Sequence, residues 1–327
     1  MWLASLAVHT ARDGTGQAGS PFCRVSFGTL GSGSAGLAEK KSLRYLAAIT
    51  FLLIFTLGAA AAPGASARWM LVVCSPGSPG TTAEAQPTMD SFAQAAGRAA
   101  GWPVGSLGAV YFESAEGGLP RLSRPDAALA MVPLPFLIRY GQELGLKPRL
   151  ETVPESGATE VWSLVAKKDR IPSPAALAGW EVTGSPGYAE DFVRNTLLGR
   201  WGAIPSGAKI TLTARVLTAL RRAASGEKVA VLLNRAQIAS LSSLPFATEL
   251  QIVYRSRPVP SGFLCVVKDR LPGADAGALF RALLRLHENA AGRVVLKSLR
   301  MVRFAPVDEA ELNKLRRPRS SAAGSAK

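Results

Sequence analysis

Side chains that could carry acid–base, nucleophilic or metal chemistry are few and scattered in this 327-residue chain. Its histidines are His9 and His287, and no His or Cys is spaced from another as metal ligands usually are. The sequence contains neither a G-x-S-x-G nucleophile elbow nor a Walker phosphate loop. His287 has the apolar neighbours Phe280 and Leu284 on a helical stretch, so it is expected at the edge of a core. We therefore expect no enzymatic activity and no cofactor.

Hydroxyl-bearing loops that follow apolar, strand-like runs are a second kind of candidate. A helix N-terminus presents unpaired N–H groups and a partial positive charge, so such a loop before a helix can hold a small oxyanion. In an open α/β sheet these loops meet at the carboxyl ends of the strands, where ligands bind. The candidate ligand-binding residues are Ser75, Ser78, Thr81, Thr82, Ser114, Ser185, Tyr188, Asn234 and Arg235.

Each of these candidates also has a purely structural interpretation. Ser185 is a natural N-cap for a helix whose first residue would be Pro186. The loop at 74–87 is rich in Gly and Pro and is equally explained as a flexible connection. Arg235 could pair with a phosphate in bidentate fashion or be a solvated surface residue. Tyr188 could stack on or hydrogen-bond a ligand, or simply pack.

The elements that must position these residues follow from the pattern along 68–312. Short β-rich runs alternate with helical stretches, which predicts a parallel sheet built from α/β units. Near the end of the chain, Leu279, Leu283 and Leu286 share one helical face, which predicts a helix packed on the core. Strands are expected in the runs RWMLVVCS, GAVYFE, DAALAMV, EVWSLVAKK, WEVTGS and EKVAVLLN, and helices in TMDSFAQAAGRAAG, PLPFLIRYGQELG and PGYAEDFVRNTLLGRWG.

Two extended segments marked by proline indicate two lobes and not one sheet. Each follows an α/β block, as expected where a chain crosses to a second lobe and later returns. The crossovers are predicted at 165–180 and 255–268. Lobe 1 would then comprise 68–165 and 260–312, and lobe 2 would comprise 166–259.

Five stretches resemble the phosphate/phosphonate-type solute-binding proteins of ABC transporters. PDAALAMVPLPFLIRYG (125–141) resembles a family strand that runs into a helix start containing an aromatic residue. VAKKDRIPSPAALAGWEVTGSPGYAEDFV (165–193) resembles the crossover and the first strand of the second lobe. ALRRAASGEKVAVLLNRAQIASL (219–241) is similar to the helix–Gly–strand unit. The return strand is similar to IVYRSRPVPSGFLCVVKDRLP (252–272), and the terminal helices to 279–312.

The resemblance implies an α/β fold of the type II periplasmic-binding-protein kind, with two lobes and two crossover strands. It also implies capture of a small anionic, phosphate- or phosphonate-like ligand between the lobes for a membrane permease, by a monomer. Where the family often has Asp-Ala after the glycine, this chain has Lys228-Val229-Ala230. Two alternatives remain open: a ligand sensor or scaffold of the same fold with a membrane kinase or envelope partner, and an exported enzyme.

The stretch at 40–67 has the order of a secretion signal. A basic cluster at Lys40, Lys41 and Arg44 precedes an uncharged apolar run at 46–62, and a small-x-small site ends it. We expect cleavage after Ala67 and a periplasmic protein. The alternative is an N-terminal membrane anchor that leaves the rest of the chain facing outside.

The remaining terminal segments are expected to carry no fold. Residues 1–39 are predicted to be a non-native or disordered extension, with translation beginning shortly before Lys40. Residues 313–327 are predicted to be a disordered basic tail.

The net charge and the cysteines give limits on function. The chain carries +15, and the first 67 residues hold five basic and two acidic side chains, so the remainder carries +12. Because the arginines are scattered and the protein is expected outside the cytoplasm, nucleic acid is not an expected partner. Cys74 and Cys265 form neither a disulfide framework nor a metal motif.

Overall fold

The structure, a computed structural model, describes residues 68–316. The predicted extension at 1–39, the signal segment at 40–67 and residues 317–327 of the tail lie outside the described residues. Within 68–316, no helix combines the length and the apolar character needed to cross a membrane.

The described residues form thirteen strands and eight α-helices. The strands are β1 (Trp69–Cys74), β2 (Leu107–Phe112), β3 (Ala127–Pro133), β4 (Leu146–Pro154), β5 (Thr159–Glu160), β6 (Ser163–Lys167), β7 (Glu181–Gly184), β8 (Lys209–Leu212), β9 (Val229–Leu233), β10 (Leu250–Arg255), β11 (Val259–Pro260), β12 (Gly262–Val267) and β13 (Met301–Pro306). The helices are α1 (Thr82–Ala99), α2 (Ala115–Ser123), α3 (Leu134–Tyr140), α4 (Val216–Ala224), α5 (Arg235–Leu241), α6 (Gly273–Leu284), α7 (Ala290–Ser298) and α8 (Glu309–Arg316).

Two sheets define two lobes with the same internal plan. Lobe 1 contains a six-stranded sheet in the order β13-β4-β12-β3-β1-β2, and lobe 2 a five-stranded sheet in the order β10-β6-β9-β7-β8. Each lobe contains three parallel strands, and the first of these along the chain lies between the other two: β2-β1-β3 and β8-β7-β9. The two-lobed α/β fold predicted from the sequence is therefore confirmed.

The sheets are mixed and not parallel as predicted. In each lobe the strand that has just crossed from the other lobe runs against its neighbour: β12 is antiparallel to β3, and β6 is antiparallel to β9. A strand that enters a sheet from the opposite end must run in the opposite direction. The strands β4, β8 and β13 lie in stretches where no strand was predicted.

The chain passes between the lobes through β5 and β11, which pair with each other in antiparallel fashion. The strand β6 already belongs to the sheet of lobe 2. The first crossover therefore lies at Thr159–Glu160 and not at 165–180, and 163–165 belong to lobe 2. The run EVWSLVAKK (160–168) looks like one strand, but it contains the last residue of the crossover strand, Glu160, and the whole of the sheet strand β6.

Alternating residues of each strand pack on opposite faces of the sheet, as their period of two requires. One face of the lobe 1 sheet packs against α1, α6 and α7, where Leu279, Leu283 and Leu286 are buried as predicted. The helical stretch that carries them breaks at a 3₁₀ turn, Leu286–Glu288, before α7 begins. The other face of the lobe 1 sheet joins one face of the lobe 2 sheet in a single hydrophobic cluster. The far face of lobe 2 is covered by α4 and by residues of α5.

The predicted tail begins too early. Residues 313–316 belong to the last turn of α8, and Leu312 and Leu315 are buried in the cluster shared by the two lobes. Leucines three positions apart lie on one helical face, so the polar residues between them, Asn313 and Lys314, can face solvent while the helix stays packed.

Candidate functional site

The loop after β1 touches the turn after β7. Both begin with Ser-Pro-Gly, at 75–77 and at 185–187. A Cβ atom placed on Gly77 would lie 3.0 Å from the Cα atom of Ser185 and 2.6 Å from Cδ1 of Leu212. We call this meeting of residues 75–81 with Ser185–Tyr188 and Leu212 the interlobe junction. The repeated Ser-Pro-Gly triplet at equivalent strand ends was a signal that the sequence analysis missed.

The serines of lobe 1 form one side of the interlobe junction. Ser75 is buried, and its Oγ atom lies 2.8 Å from Oγ of Ser78 in a hydrogen bond. The backbone N–H of Ser75 donates to the Phe112 carbonyl at 2.9 Å, which ties this loop to the end of β2. Ser75 and Ser78 are thus brought together, as the sequence predicted for residues at one strand end.

Ser114 begins the neighbouring helix at the end of β2. Its Oγ atom accepts a hydrogen bond from the Gly117 N–H at 3.2 Å, so it is the N-cap of α2. The Sγ atom of Cys74 lies 3.4 Å from the Ser114 carbonyl oxygen. A Cβ atom on Gly118 would lie 2.3 Å from that sulfur, so only glycine allows this approach of helix and strand. Ser114 therefore lies close to the end of β1.

Thr81 and Thr82 are held by the start of α1 and do not form an open loop. Thr81 is the N-cap of α1 and forms a capping box with Glu84. The Thr82 hydroxyl donates to the carboxylate of Glu113 at 2.9 Å. The loop predicted for 74–87 thus ends at Thr81, because the T-x-x-E pattern starts the helix there.

Ser185 is not the cap of a long helix. It is the first residue of a 3₁₀ turn, Ser185–Tyr188, that is followed by a short π-helix, Phe192–Leu197. A Cβ atom on Gly187 would lie 1.8 Å from the Thr211 carbonyl oxygen, so the turn is pressed against β8. This close contact with the neighbouring strand explains why the predicted helix does not begin at Pro186.

Tyr188 reaches from lobe 2 towards lobe 1. Its hydroxyl is buried and has no hydrogen-bond partner among the described residues. Cys74, Tyr140 and Arg139, all from lobe 1, lie near it. Burial is the main cause that raises the pKa of Tyr188 well above its usual value, so the phenol keeps its proton and remains a hydrogen-bond donor.

Asn234 and Arg235 follow β9, the strand beside β7, so they leave the same edge of the lobe 2 sheet as Ser185. Asn234 is the N-cap of α5: its Oδ1 atom accepts from the Gln237 N–H at 2.8 Å. The guanidinium of Arg235 donates to the Thr159 carbonyl at 3.2 Å, on the crossover strand. Arg235 is therefore engaged by the crossover and is not directed towards the interlobe junction.

The electrostatics around Cys74 are acidic. Burial, followed by the charges of Glu116 and Glu113, raises the pKa of the Cys74 thiol to about 12. Cys74 is therefore a neutral thiol, and both it and Cys265 are free cysteines. No cluster of His, Cys, Asp and Glu suited to a metal ion occurs within 68–316. The interlobe junction thus offers neutral hydroxyl donors in a partly apolar setting, with Arg139 as a nearby cation.

His287 is not part of the interlobe junction. It lies in the 3₁₀ turn between α6 and α7. It is half-buried, as expected for a histidine at the edge of the core. The sequence analysis did not select Cys74, Arg139 and Tyr140, which lie near Tyr188, or Leu212, which faces Gly77. All four are apolar, aromatic or common surface types, so their residue types alone carried no signal.

Part of the sequence is similar to a known protein family. The sequence model of a family described as "ABC transporter, phosphonate, periplasmic substrate-binding protein" matches residues 207–312. This confirms, over that part of the chain, the resemblance found in the sequence. No curated protein sequence matches the chain.

Solved structures of three proteins share the fold at low sequence identity. XAC2383 from Xanthomonas citri, bound to ATP, has a TM-score of 0.58 at 15% identity and covers 76% of this chain and 96% of its own. A binding protein component of an ABC phosphonate transporter from Pseudomonas aeruginosa has a TM-score of 0.54 at 18% identity, with 76% and 85% covered. PhnD1 from Prochlorococcus marinus, in complex with methylphosphonate, has a TM-score of 0.53 at 13% identity, with 76% and 96% covered. The chain therefore has the fold of periplasmic solute-binding proteins.

Proposed function

We propose that this protein is an extracytoplasmic solute-binding protein that captures a small phosphate- or phosphonate-like anion between its lobes. It would deliver that ligand to an ABC permease in the membrane, as a monomer. The observation that carries the proposal is the buried Tyr188 hydroxyl without a partner, which lies where the two lobes meet. A buried donor left unpaired is costly, and a ligand oxygen would pair it.

The ligand would be held mainly by neutral donors. Ser75, Ser78 and Ser114 supply hydroxyls at the ends of β1 and β2, and Ser185 and Tyr188 supply them from lobe 2. The Oδ1 atom of Asn234 accepts a hydrogen bond from the Gln237 N–H. Its side-chain NH₂ group forms no hydrogen bond among the described residues and can donate to a ligand. Thr81, Thr82 and Arg235 were also predicted to bind, but their present contacts are structural. We therefore leave these three out of the proposed site.

The two acidic side chains near Cys74 limit which anions fit. Glu113 and Glu116 would repel a second negative charge, so a monoanion or an anion with an uncharged substituent should bind better than a dianion. Lobe closure around such a ligand would use the crossover strands as the hinge.

A ligand screen followed by two substitutions tests the proposal. Thermal shift should first identify a binder among inorganic phosphate, methylphosphonate, sulfate and ATP. Ser185→Ala and Asn234→Ala should each weaken that binder about tenfold to a hundredfold by calorimetry, the loss of one charge-assisted hydrogen bond. Unfolding without ligand controls for the loss of the Asn234 cap. If both variants keep the affinity of the parent protein, the proposed site is wrong.

Export is a separate part of the proposal. When the full chain is produced in a Gram-negative host, the mature N-terminus should be Arg68, because the small-x-small site ends at Ala67. Intact-mass analysis of the periplasmic fraction measures this. A product that retains 46–62 would support the membrane-anchored alternative.

A further inference from the structure

The crossover carries a buried carboxylate that lies close to the lobe 2 half of the proposed site. Glu160 is in β5, which pairs with β11 through Val259. These two short strands are the only connections between the sheets within 68–316. Any rotation of one lobe relative to the other therefore passes through them. Glu160 is nevertheless only 9% exposed.

The carboxylate of Glu160 accepts hydrogen bonds from two backbone N–H groups, one in the crossover chain and one at the start of α5. Its Oε1 atom accepts a hydrogen bond from the Arg235 N–H at 2.7 Å and another from the Val161 N–H at 3.1 Å. The Arg235 guanidinium returns to the crossover and donates to the Thr159 carbonyl. Two separate hydrogen bonds thus join β5 to the first residue of α5.

That first residue directly follows Asn234, the N-cap of α5 and a proposed ligand contact. The backbone N–H groups of Arg235 and Gln237 lie in the first turn of α5. They donate hydrogen bonds to the side chains of Glu160 and Asn234, respectively. They are therefore not available to a ligand. The Glu160 contact instead fixes where the turn that bears Asn234 can lie relative to the crossover.

Satisfying one helix amide does not by itself require a carboxylate. Burial raises the pKa of Glu160, and the hydrogen bonds from Arg235 and Val161 and the charge of Arg235 offset this only in part. The contact to Arg235 needs an acceptor oxygen on a side chain long enough to reach from β5 to α5, and a buried N–H left without its acceptor is costly. The position of Glu160, between the crossover and the turn that bears Asn234, indicates a positioning role.

We propose that Glu160 is a positioning residue that couples the crossover to the turn bearing Asn234, so that lobe closure and the lobe 2 half of the ligand site move as one unit. The role that this proposal gives to Asn234 rests on the ligand-binding function proposed above. The mechanical link itself, from β5 to α5, does not depend on which ligand binds.

Three substitutions separate the parts of this link. Glu160→Ala removes the acceptor for the Arg235 N–H, whereas Glu160→Gln keeps a carbonyl oxygen in its place. Arg235→Ala removes the guanidinium contact to Thr159 but leaves the backbone N–H. Leu283→Ala is the stability control, because Leu283 is buried in a cluster that belongs to lobe 1 alone.

The first readout is the distance between the lobes in the ligand-free protein, measured between two spin labels by double electron–electron resonance spectroscopy. In a Cys23→Ser background, Val104→Cys in lobe 1 and Ser206→Cys in lobe 2 are exposed labelling sites, while Cys74 and Cys265 are buried. Glu160→Ala should broaden or shift the distance distribution. Glu160→Gln and Leu283→Ala should leave it as in the parent protein, and Arg235→Ala should have an intermediate effect.

The second readout is binding of methylphosphonate, inorganic phosphate and ATP. Glu160→Ala should weaken whichever of these binds the parent protein by about tenfold, chiefly through faster dissociation, and Glu160→Gln should restore the affinity to within about twofold. If Glu160→Ala does not fold, Glu160→Asp replaces it, because its shorter side chain cannot span the same contact.

The two proposals fail in different ways. If the parent protein binds none of these probes, the proposed anion ligand is wrong, and the distance distribution alone decides the hinge inference. If Glu160→Ala keeps both the parent distance distribution and the parent affinity, Glu160 does not couple the lobes. A loss that Leu283→Ala reproduces would also overturn the inference, because it would then reflect stability alone.

Discussion

At the scale of single residues, Tyr188 is one of five described side chains with a buried polar atom that lacks a hydrogen-bond partner, and it lies where the two lobes meet. Its ring packs with the shared core, but its hydroxyl is buried without a partner among the described residues. In the free protein such a hydroxyl costs stability, and in a complex it would donate to the ligand. A single substitution should therefore change stability and affinity in opposite directions.

We expect Tyr188→Phe to stabilise the ligand-free protein by about 1–3 kcal/mol, because an unsatisfied buried polar group is removed. The same variant should bind the ligand about tenfold more weakly, because one donor is lost. Urea unfolding and calorimetry measure the two effects. Tyr254→Phe is the matched control, since Tyr254 stacks on Trp201 at 5.5 Å between ring centroids and should leave both quantities nearly unchanged. A destabilised Tyr188→Phe protein would show that the hydroxyl is already satisfied.

At the scale of elements, α8 shows how a basic, tail-like sequence can still be a packed helix. The residues Asn313, Lys314 and Arg316 are exposed, while Leu312 and Leu315 are buried among residues from both lobes. Arg257, in the segment between β10 and β11, also forms an ion pair with Glu311 of this helix at 2.6 Å. The helix therefore closes the core beside the return crossover.

Leu315→Ala should lower the free energy of unfolding by about 2–4 kcal/mol, as is usual when a buried leucine is truncated. Asn313→Ala, two residues away on the exposed face, should change it by less than about 0.5 kcal/mol. Urea titration followed by circular dichroism compares the two variants. Equal, small effects from both would mean that α8 contributes little to the core.

At the scale of the whole molecule, Gly77 lies where the lobes touch. Its φ angle is +76°, a conformation that favours glycine, and a Cβ atom there would press on Leu212 and Ser185. Gly101 has almost the same φ angle, +75°, but nothing lies within 4 Å of its built Cβ atom. Comparing alanine substitutions at the two positions therefore separates the effect of backbone strain from the effect of a side chain that obstructs the interlobe junction.

Both Gly77→Ala and Gly101→Ala should cost roughly 1–2 kcal/mol of stability from the left-handed backbone alone. Only Gly77→Ala should also weaken ligand binding, by about tenfold, because it opposes the approach of the lobes. Adding Leu212→Ala to Gly77→Ala should recover part of that affinity. Calorimetry on the four proteins measures this. Equal affinities for the two alanine variants would contradict a role for the junction in closure.

Much of the fold could be predicted from the sequence, because it depends on local patterns. The alternation of apolar runs and helical stretches indicated an α/β protein, and the proline-marked segments indicated two lobes. Leu279, Leu283 and Leu286 were correctly assigned to the core because their helical spacing alone decides which face is buried. The mixed strand directions and β13 could not be predicted, because the pairing of a strand depends on partners distant in the chain.

The sequence by itself also placed hydroxyl residues at the ends of the right strands, but tertiary structure decided which of them are free to act. Thr81 and Thr82 are used by a helix start and by Glu113, and Arg235 is used by the crossover. Ser185 instead meets Gly77 across the junction. The physical reason is that a polar side chain binds whichever partner the folded chain brings within hydrogen-bonding distance. Local sequence specifies the donor, and only the packing of two lobes specifies its acceptor.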